Sequence, residues 1–155
     1  STYVRELLRR GEYVKDDQDI KILSNLDIDH LIERDFKKVH QNALLADMVK
    51  LISISKRNIF PVINKEGELK GIVTLDDVRD IMFDRDKQQH IKISDIMQLP
   101  PAFIEYGEQM ESVMQKFETS GAWNLPVTKN GKYTGFVSKS RIFNLYRQQL
   151  IEQTA

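Results

Sequence analysis

The sequence contains no cysteine and no surplus of charge of either sign. The absence of cysteine excludes disulfides and thiolate metal sites, and it fits a reducing compartment. Lysine and arginine number 23, as do aspartate and glutamate, so the formal net charge is zero. Nucleic-acid binding draws on a basic surplus that releases phosphate counterions, so we expect no nucleic-acid partner. No apolar run approaches the roughly 20 residues of a membrane-spanning helix, which predicts a soluble fragment.

The common signatures of catalysis are also missing from the sequence. It has no glycine-rich phosphate loop ending in Lys-Ser/Thr, no dinucleotide fingerprint and no Gly-x-Ser-x-Gly turn. The three histidines are scattered, with no pair at metal-ligand spacing, so we predict no metal site. The chain is therefore expected to bind a ligand or a partner, and not to be an enzyme.

An internal repeat relates the two halves of the chain. A shift of 65 residues superimposes helix-patterned apolar positions and a Pro-Val pair, and a shift of 64 superimposes a Gly-apolar-apolar-Thr/Ser run. The first set is Leu45, Met48, Val49, Ile52 and Pro61-Val62 on Met110, Val113, Met114, Phe117 and Pro126-Val127; the second is Gly71–Thr74 on Gly135–Ser138. Two copies in one order and at one spacing predict two similar structural units.

Each copy has the pattern of a β-α-β-β-α unit preceded by a short helix. Apolar residues at i, i+3, i+4 and i+7 predict an amphipathic helix, and short apolar runs around a turn predict a hairpin. In the second copy that turn is Asn130-Gly131, which favours positive φ. We predict an α/β (α+β) fold and divide the chain into a tether at 1–24, repeats at 25–84 and 93–150, a polar linker at 85–92 and a tail at 151–155.

The two hairpin regions resemble the CBS domain family. The stretches FPVINKEGELKGIVTLDDV and LPVTKNGKYTGFVSKSRI carry its hallmark, an apolar-Pro-Val strand, a turn, and Gly-apolar-apolar-Thr/Ser before a helix. The resemblance implies a tandem pair (a Bateman module) packed through its sheets about a pseudo-twofold axis. It also implies two clefts, which bind adenine nucleotides in many members, and assembly as a homodimer.

Other phrases resemble the cytoplasmic tail of bacterial CLC-type chloride channels and transporters. They are TYVRELLRRGEYV, RNIFPV, DDVRDIMF, GAWNLPV and GFVSKSRIF. Residues 1–24, with a short helix ended at Gly11, would then tether the module to the transmembrane CLC domain of the same chain. The module would lie at the cytoplasmic face of the cell membrane. The first residue is Ser1, so we expect a piece of a longer protein.

The family resemblance places a ligand site in the first repeat. The hydroxyl of Thr74 would meet phosphate, and the Asp77 carboxylate would accept hydrogen bonds from ribose hydroxyls. A base pocket would be formed mainly by backbone groups of Val39, His40, Asn58, Ile59, Phe60 and Pro61. The expected regulatory ligand is ATP, ADP or AMP, and no cofactor is required.

Structural explanations exist for the same residues. Thr74 and Asp77 also fit a capping box, and the side chains of Ile59 and Phe60 fit a core. In the second repeat Arg141 replaces the acidic residue, and a guanidinium cannot accept from a ribose diol, so we expect at most one nucleotide site. Trp123 is expected to pack between the repeats.

Three functions are therefore open from the sequence. The first is a regulatory domain of a CLC-type channel or transporter that senses an adenine nucleotide. The second is an energy-sensing module of a soluble enzyme. The third is a structural dimerisation module with empty clefts, in which Thr74 and Asp77 only cap a helix.

Overall fold

The computed structural model describes residues 17–154 of the chain. The predicted N-terminal helix ended at Gly11 lies outside the described residues, as does most of the predicted tether. The described chain begins with helix α1 at Asp17–Ser24 and a short 3-10 helix at Ile28–His30.

The first repeat folds into a three-stranded sheet with flanking helices. Its elements in chain order are β1 at Val39–His40, α2 at Leu45–Ile54, β2 at Ile59–Ile63, β3 at Leu69–Thr74 and α3 at Leu75–Val78. Strand β2 is central; it pairs in parallel with β1 and antiparallel with β3. Leu45 and Met48 are fully buried on the apolar face of α2, as the spacing predicts.

The second repeat has the same order of elements after two intervening helices. These helices are α4 at Arg85–His90 and α5 at Ile93–Ile96. The repeat itself consists of β4 at Ile104–Glu105, α6 at Met110–Ser120, β5 at Asn124–Lys129, β6 at Lys132–Ser138 and α7 at Lys139–Thr154. Its sheet has the order β4-β5-β6, so the predicted α/β class with two similar three-stranded sheets is confirmed.

Local sequence signals explain where the second repeat bends. Helix α6 ends at Gly121, which adopts a left-handed conformation with φ of 69° that glycine tolerates best. The turn between β5 and β6 places both Asn130 and Gly131 at positive φ, 55° and 80°, as the hairpin prediction requires. On α6, Val113 and Phe117 lie on the stripe that is buried against the sheet and helix α1.

The polar stretch predicted as a linker contains a helix. Asp84 caps helix α4 by accepting a hydrogen bond from the Lys87 amide at 3.1 Å, and Asp86 lies in its first turn. These local capping interactions stabilise a helix without any buried residue, which hydrophobic periodicity could not reveal. Helix α3, which closes the first repeat, is also short: its regular part is only four residues long.

The described residues form two compact units, and each unit contains a segment that belongs to the other repeat in the sequence. The first-repeat unit contains residues 34–100 and 128–135, and the second-repeat unit contains the described residues up to 33, then 101–127 and 136–154. Each has its own core. The larger buried side chains include Phe60, Leu45 and Met48 in the first-repeat unit and Tyr146, Phe117, Phe136, Leu23 and Leu31 in the second-repeat unit. The hairpin tip at 128–135 joins the first-repeat unit through an antiparallel bridge between Glu68 and Lys132.

Each sheet is extended by one equivalent antiparallel bridge. In the first-repeat unit Ile72 exchanges backbone hydrogen bonds with Gln98, at 2.8 and 2.9 Å. In the second-repeat unit Glu33 exchanges them with Phe136, at 2.8 and 3.0 Å. The repeat shifts superimpose Glu33 on Gln98 and Ile72 on Phe136. The internal repeat is therefore present in the hydrogen bonding as well as in the sequence.

The Ile72–Gln98 bridge requires a glycine next to it. A Cβ atom on Gly71 would lie 2.9 Å from the Gln98 carbonyl oxygen and 3.0 Å from the Met97 sulfur. The oxygen belongs to backbone that the bridge holds in place, so it cannot swing away as a side chain could.

We expect Gly71→Ala to lower the free energy of unfolding by about 1–3 kcal/mol, because the added methyl overpacks this contact. Lys70→Ala, at the exposed neighbouring position, serves as the control and should leave stability almost unchanged. Urea denaturation of the three proteins measures the difference. Equal stability of Gly71→Ala and the wild type would show that the bridge yields freely.

A nearly buried ion pair supports the second-repeat unit. The Glu108 carboxylate has a side chain that is 12% exposed and accepts a 2.8 Å hydrogen bond from the Lys116 ammonium. It also accepts from the Ser112 hydroxyl and from the Glu105 amide. Burial raises the pKa of the Glu108 carboxyl, but these hydrogen bonds outweigh burial and hold the pKa below its ordinary value.

A carboxyl with a lowered pKa in the folded state stabilises the fold above its unfolded-state pKa, and this contribution is lost as the pH falls through the folded-state pKa. We therefore expect Glu108→Gln to cost about 1 kcal/mol at pH 7 and to cost progressively less below about pH 4.5. Glu152→Gln, at an exposed position, is the control. Denaturation at a series of pH values would contradict the argument if the cost of Glu108→Gln did not change with pH.

Candidate functional site

Strand β3 passes directly into helix α3 at the residues that the sequence singled out. Thr74 is the N-cap, with φ −103° and ψ 162°, and its hydroxyl accepts a hydrogen bond from the Asp77 amide at 3.2 Å. The Asp77 carboxylate accepts from the Thr74 amide at 2.9 Å in return. The predicted capping box is confirmed.

The second carboxylate oxygen of Asp77 also has a partner within the first-repeat unit. The side-chain amide of Gln98 donates to Oδ1 of Asp77 at 3.2 Å. An ionised carboxylate offers about four lone-pair positions, and two of them are occupied here. Asp77 is half-buried, so the acceptor positions that remain are within reach of a ligand that brings its own hydroxyl donors.

Two of the predicted base-pocket residues lie beside the capping box. Ile59 pairs with Thr74 across the β2–β3 ladder, and the Asn58 carbonyl accepts from the Leu75 amide at 2.8 Å. Asn58 is exposed and Ile59 is half-buried. The start of β2 and the start of α3 therefore form one edge of the first-repeat unit, which we name the Thr74–Asp77 edge.

The other predicted base-pocket residues lie elsewhere in the same unit. Phe60 is 1% exposed, which confirms its interpretation as core, and Val39 and Pro61 are buried as well. His40 pairs with Ile63, four residues beyond Ile59 on β2, which is roughly 13 Å along the strand. The register thus separates β1 from the Thr74–Asp77 edge.

A cavity that the sequence did not predict is formed by residues that precede this edge in the chain. Its volume is about 350 Å³, and we name it the basic cavity; it is lined by Arg34, Asp35, Phe36, Lys37, Ile54 and Lys56. Arg57 holds two of these lining residues in place. The Arg57 guanidinium contacts both carboxylate oxygens of Asp35, at 2.7 and 3.2 Å, and lies 4.6 Å from the centroid of the Phe36 ring.

The hydrogen bond from Arg57 lowers the pKa of the Asp35 carboxyl, which therefore stays ionised. The signal for this cavity in the sequence was a local concentration of cations at 34–38 and 56–57 within a chain of zero net charge. Residues 34–38 and Lys56 lie outside the motifs quoted above, and Arg57 belongs to the phrase RNIFPV, which indicates no cavity. Their proximity arises only because β1 and β2 are neighbours in the sheet.

The equivalent edge of the second repeat has different chemistry. Ser138 caps α7 by accepting from the Arg141 amide at 3.0 Å, so the cap persists without its carboxylate. The Arg141 guanidinium instead approaches the His30 carbonyl at 3.5 Å. The guanidinium offers no acceptor to a ribose diol, as the sequence indicated.

Trp123 corrects one expectation from the sequence. The residue was expected to pack between the repeats, but its side chain is 65% exposed. It precedes β5, whose buried positions begin at Leu125, and the Lys139 ammonium lies 4.6 Å from the centroid of its ring. Trp123 therefore makes a cation–π contact at the surface and is not part of a core.

The described residues contain neither a metal-binding cluster nor a membrane-spanning helix. Residues 17–154 contain no group of three or more histidine, aspartate or glutamate side chains placed to bind a metal ion. Among the helices of the same stretch, none combines the length and the apolar character needed to cross a membrane.

Comparison with known proteins gives one relative and many similar structures. The chain is 26% identical over 127 residues to a homoserine O-acetyltransferase of Methanococcus vannielii, an overlap of 80% of this chain but only 25% of that protein. The chain thus spans about a quarter of the curated relative that it matches.

Two solved structures illustrate the similarity in fold. The structure of CbpB in complex with c-di-AMP aligns with a TM-score of 0.73 and 16% identity, covering 89% of this chain and 95% of that one. The CBS domain of the bacterial CNNM/CorC family Mg²⁺ transporter in complex with ATP aligns with a TM-score of 0.69 and 15% identity, covering 83% and 92%. At these identities the similarity shows the fold.

A family match accounts for both repeats. The family described as CBS domain matches residues 27–84 and again residues 93–147. The two matches cover most of the chain and include helix α3, the first part of helix α7 and both three-stranded sheets. The chain belongs to the CBS domain family and contains a tandem pair of its domains.

Proposed function

We propose that this chain is a regulatory module, not an enzyme, and that the Thr74–Asp77 edge of its first repeat binds an adenine nucleotide. The observation that carries the proposal is the Asp77 carboxylate. It caps helix α3 through one oxygen and keeps acceptor capacity for the two hydroxyls of a ribose. Capping and ligand binding are compatible because the cap fixes the carboxylate before a ligand arrives.

The similar structures support this choice of ligand class. CbpB is described in complex with c-di-AMP, and the Mg²⁺ transporter domain in complex with ATP. Both ligands contain adenine and ribose. For this chain we propose ATP, ADP or AMP as the ligand, with one site only, because Arg141 stands at the second-repeat position equivalent to Asp77.

The parent protein that we propose is a CLC-type chloride channel or transporter. The proposal rests on the phrases quoted above, and it places the module at the cytoplasmic face of the membrane as a homodimer. The similar domain of a CNNM/CorC family Mg²⁺ transporter supports a link between such pairs and membrane transport in general. A nucleotide would regulate the parent only if it bound two conformations with different affinities.

A second candidate is an energy-sensing module of a soluble enzyme. The observation that favours it is the homoserine O-acetyltransferase relative, of which this chain matches only a quarter. A third candidate, a structural module, would use the Thr74–Asp77 box only as a cap.

Calorimetric titration with adenosine, AMP, ADP and ATP tests the proposed site. We expect binding that falls at least tenfold in Asp77→Asn, because the amide removes acceptor positions while its oxygen can still cap the helix. Asp76→Asn, one residue away and paired with Arg79 at 2.6 Å, is the matched control and should bind normally.

An adenosine analogue lacking both ribose hydroxyls should lose the same affinity in the wild type as adenosine loses in Asp77→Asn. Silence from every ligand in a folded protein would refute nucleotide binding.

Asp77→Ala should in any case cost about 0.5–2 kcal/mol of stability through the lost cap.

The coding sequence upstream of Ser1 tests the proposed parent. We expect a run of membrane helices there, read from the full-length gene. A catalytic domain in that position would overturn the CLC proposal and favour the enzyme-linked sensor.

A further inference from the structure

The charge around the basic cavity is strongly one-sided although the chain is neutral. Three cationic side chains, those of Arg34, Lys37 and Lys56, line it together with a single carboxylate, that of Asp35. That carboxylate is already bound through both oxygens by Arg57, which lies outside the lining. With Arg57 included, four cations face this one carboxylate, so an excess of positive charge surrounds the cavity.

The cationic groups differ in how firmly they are held. The Arg34 guanidinium donates to the Thr134 carbonyl at 3.0 Å and retains four further N–H donors. Lys37 and Lys56 are exposed and make no hydrogen bond or ion pair with any residue in the range 17–154. One positioned guanidinium and two exposed ammonium groups without hydrogen bonds therefore surround the same space.

We propose that the basic cavity binds the phosphate groups of a polyanionic ligand. Phosphate oxygens are strong acceptors for a guanidinium fork and for lysine ammonium groups. The cavity volume of about 350 Å³ lies at the lower end of the usual range for small-molecule sites, which suits a chain of phosphates. Buried Phe36, held beneath Arg57, gives it a rigid wall.

The position of the cavity connects it to the proposed nucleotide site. Arg57 directly precedes Asn58, whose carbonyl binds the start of helix α3, so the cavity and the Thr74–Asp77 edge are neighbours within the first-repeat unit. The inference deepens the proposed function and rests on it for the nucleoside part of the ligand. It specifies a nucleotide with several phosphates, in preference to adenosine or AMP.

Titration with inorganic tripolyphosphate and with the series adenosine, AMP, ADP and ATP tests the inference. We expect affinity to rise at each added phosphate and to fall with increasing salt. The double variant Lys37→Gln/Lys56→Gln should lose at least tenfold in affinity for ATP and tripolyphosphate and keep its affinity for adenosine.

Lys50→Gln/Lys65→Gln is the matched control. It removes the same charge from exposed positions of the same unit outside the cavity, and it should bind every ligand as the wild type does. Equal losses in both double variants would overturn the inference, because they would show only a general effect of net charge.

The two proposals fail in distinguishable ways. Adenosine binding that depends on Asp77, with ATP no tighter and tripolyphosphate silent, would overturn the phosphate cavity and leave the nucleoside site standing. Tripolyphosphate binding that depends on Lys37 and Lys56, without any response to adenosine or to Asp77→Asn, would support the cavity and refute the nucleoside site.

Discussion

The contact on which the rest of the first-repeat unit depends is the antiparallel bridge between Ile72 and Gln98. It brings a segment from beyond helix α5 against the open side of β3, and it does so at a distance that only Gly71 permits. The same approach carries the Gln98 side chain to the Asp77 carboxylate. One backbone contact thus fixes both the partner of strand β3 and a hydrogen bond to the candidate ligand acceptor, because a strand partner that approaches closely also positions the side chains beside it.

The two repeats share this architecture and differ in its chemistry. The bridge between Glu33 and Phe136 reproduces the backbone arrangement in the second-repeat unit, and Ser138 reproduces the N-cap. A cap needs only a hydroxyl, so it survives the change from aspartate to Arg141. Recognition of a diol needs a carboxylate, so it does not. The two repeats therefore share the backbone arrangement and the N-cap, while the carboxylate that can accept from a diol stands only in the first repeat.

Paired and unpaired charges have different roles in this protein, although its net charge is zero. Some ion pairs support the structure: Glu108–Lys116 lies largely within the second-repeat unit, and Asp35–Arg57 fixes the wall of the basic cavity. Lys37 and Lys56 make no hydrogen bond or ion pair within residues 17–154. Paired charges position elements, while unpaired charges of one sign in a concave site produce a field that acts on ligands. The sheet register places the two kinds next to each other.

The sequence by itself determined the repeats, the α/β class, the strands, the Asn130-Gly131 turn and the Thr74–Asp77 cap, because each of these depends on periodicity or on hydrogen bonds between residues a few positions apart. Helix α4 was missed because all of its residues are polar, so it shows no hydrophobic periodicity, although its capping is local. The exposure of Trp123, the distance of His40 from Asp77, the role of Gln98 and the basic cavity were decided only by the tertiary structure. Each of these depends on strand register or on contacts between distant segments, and residue spacing along the chain carries no information about such pairings.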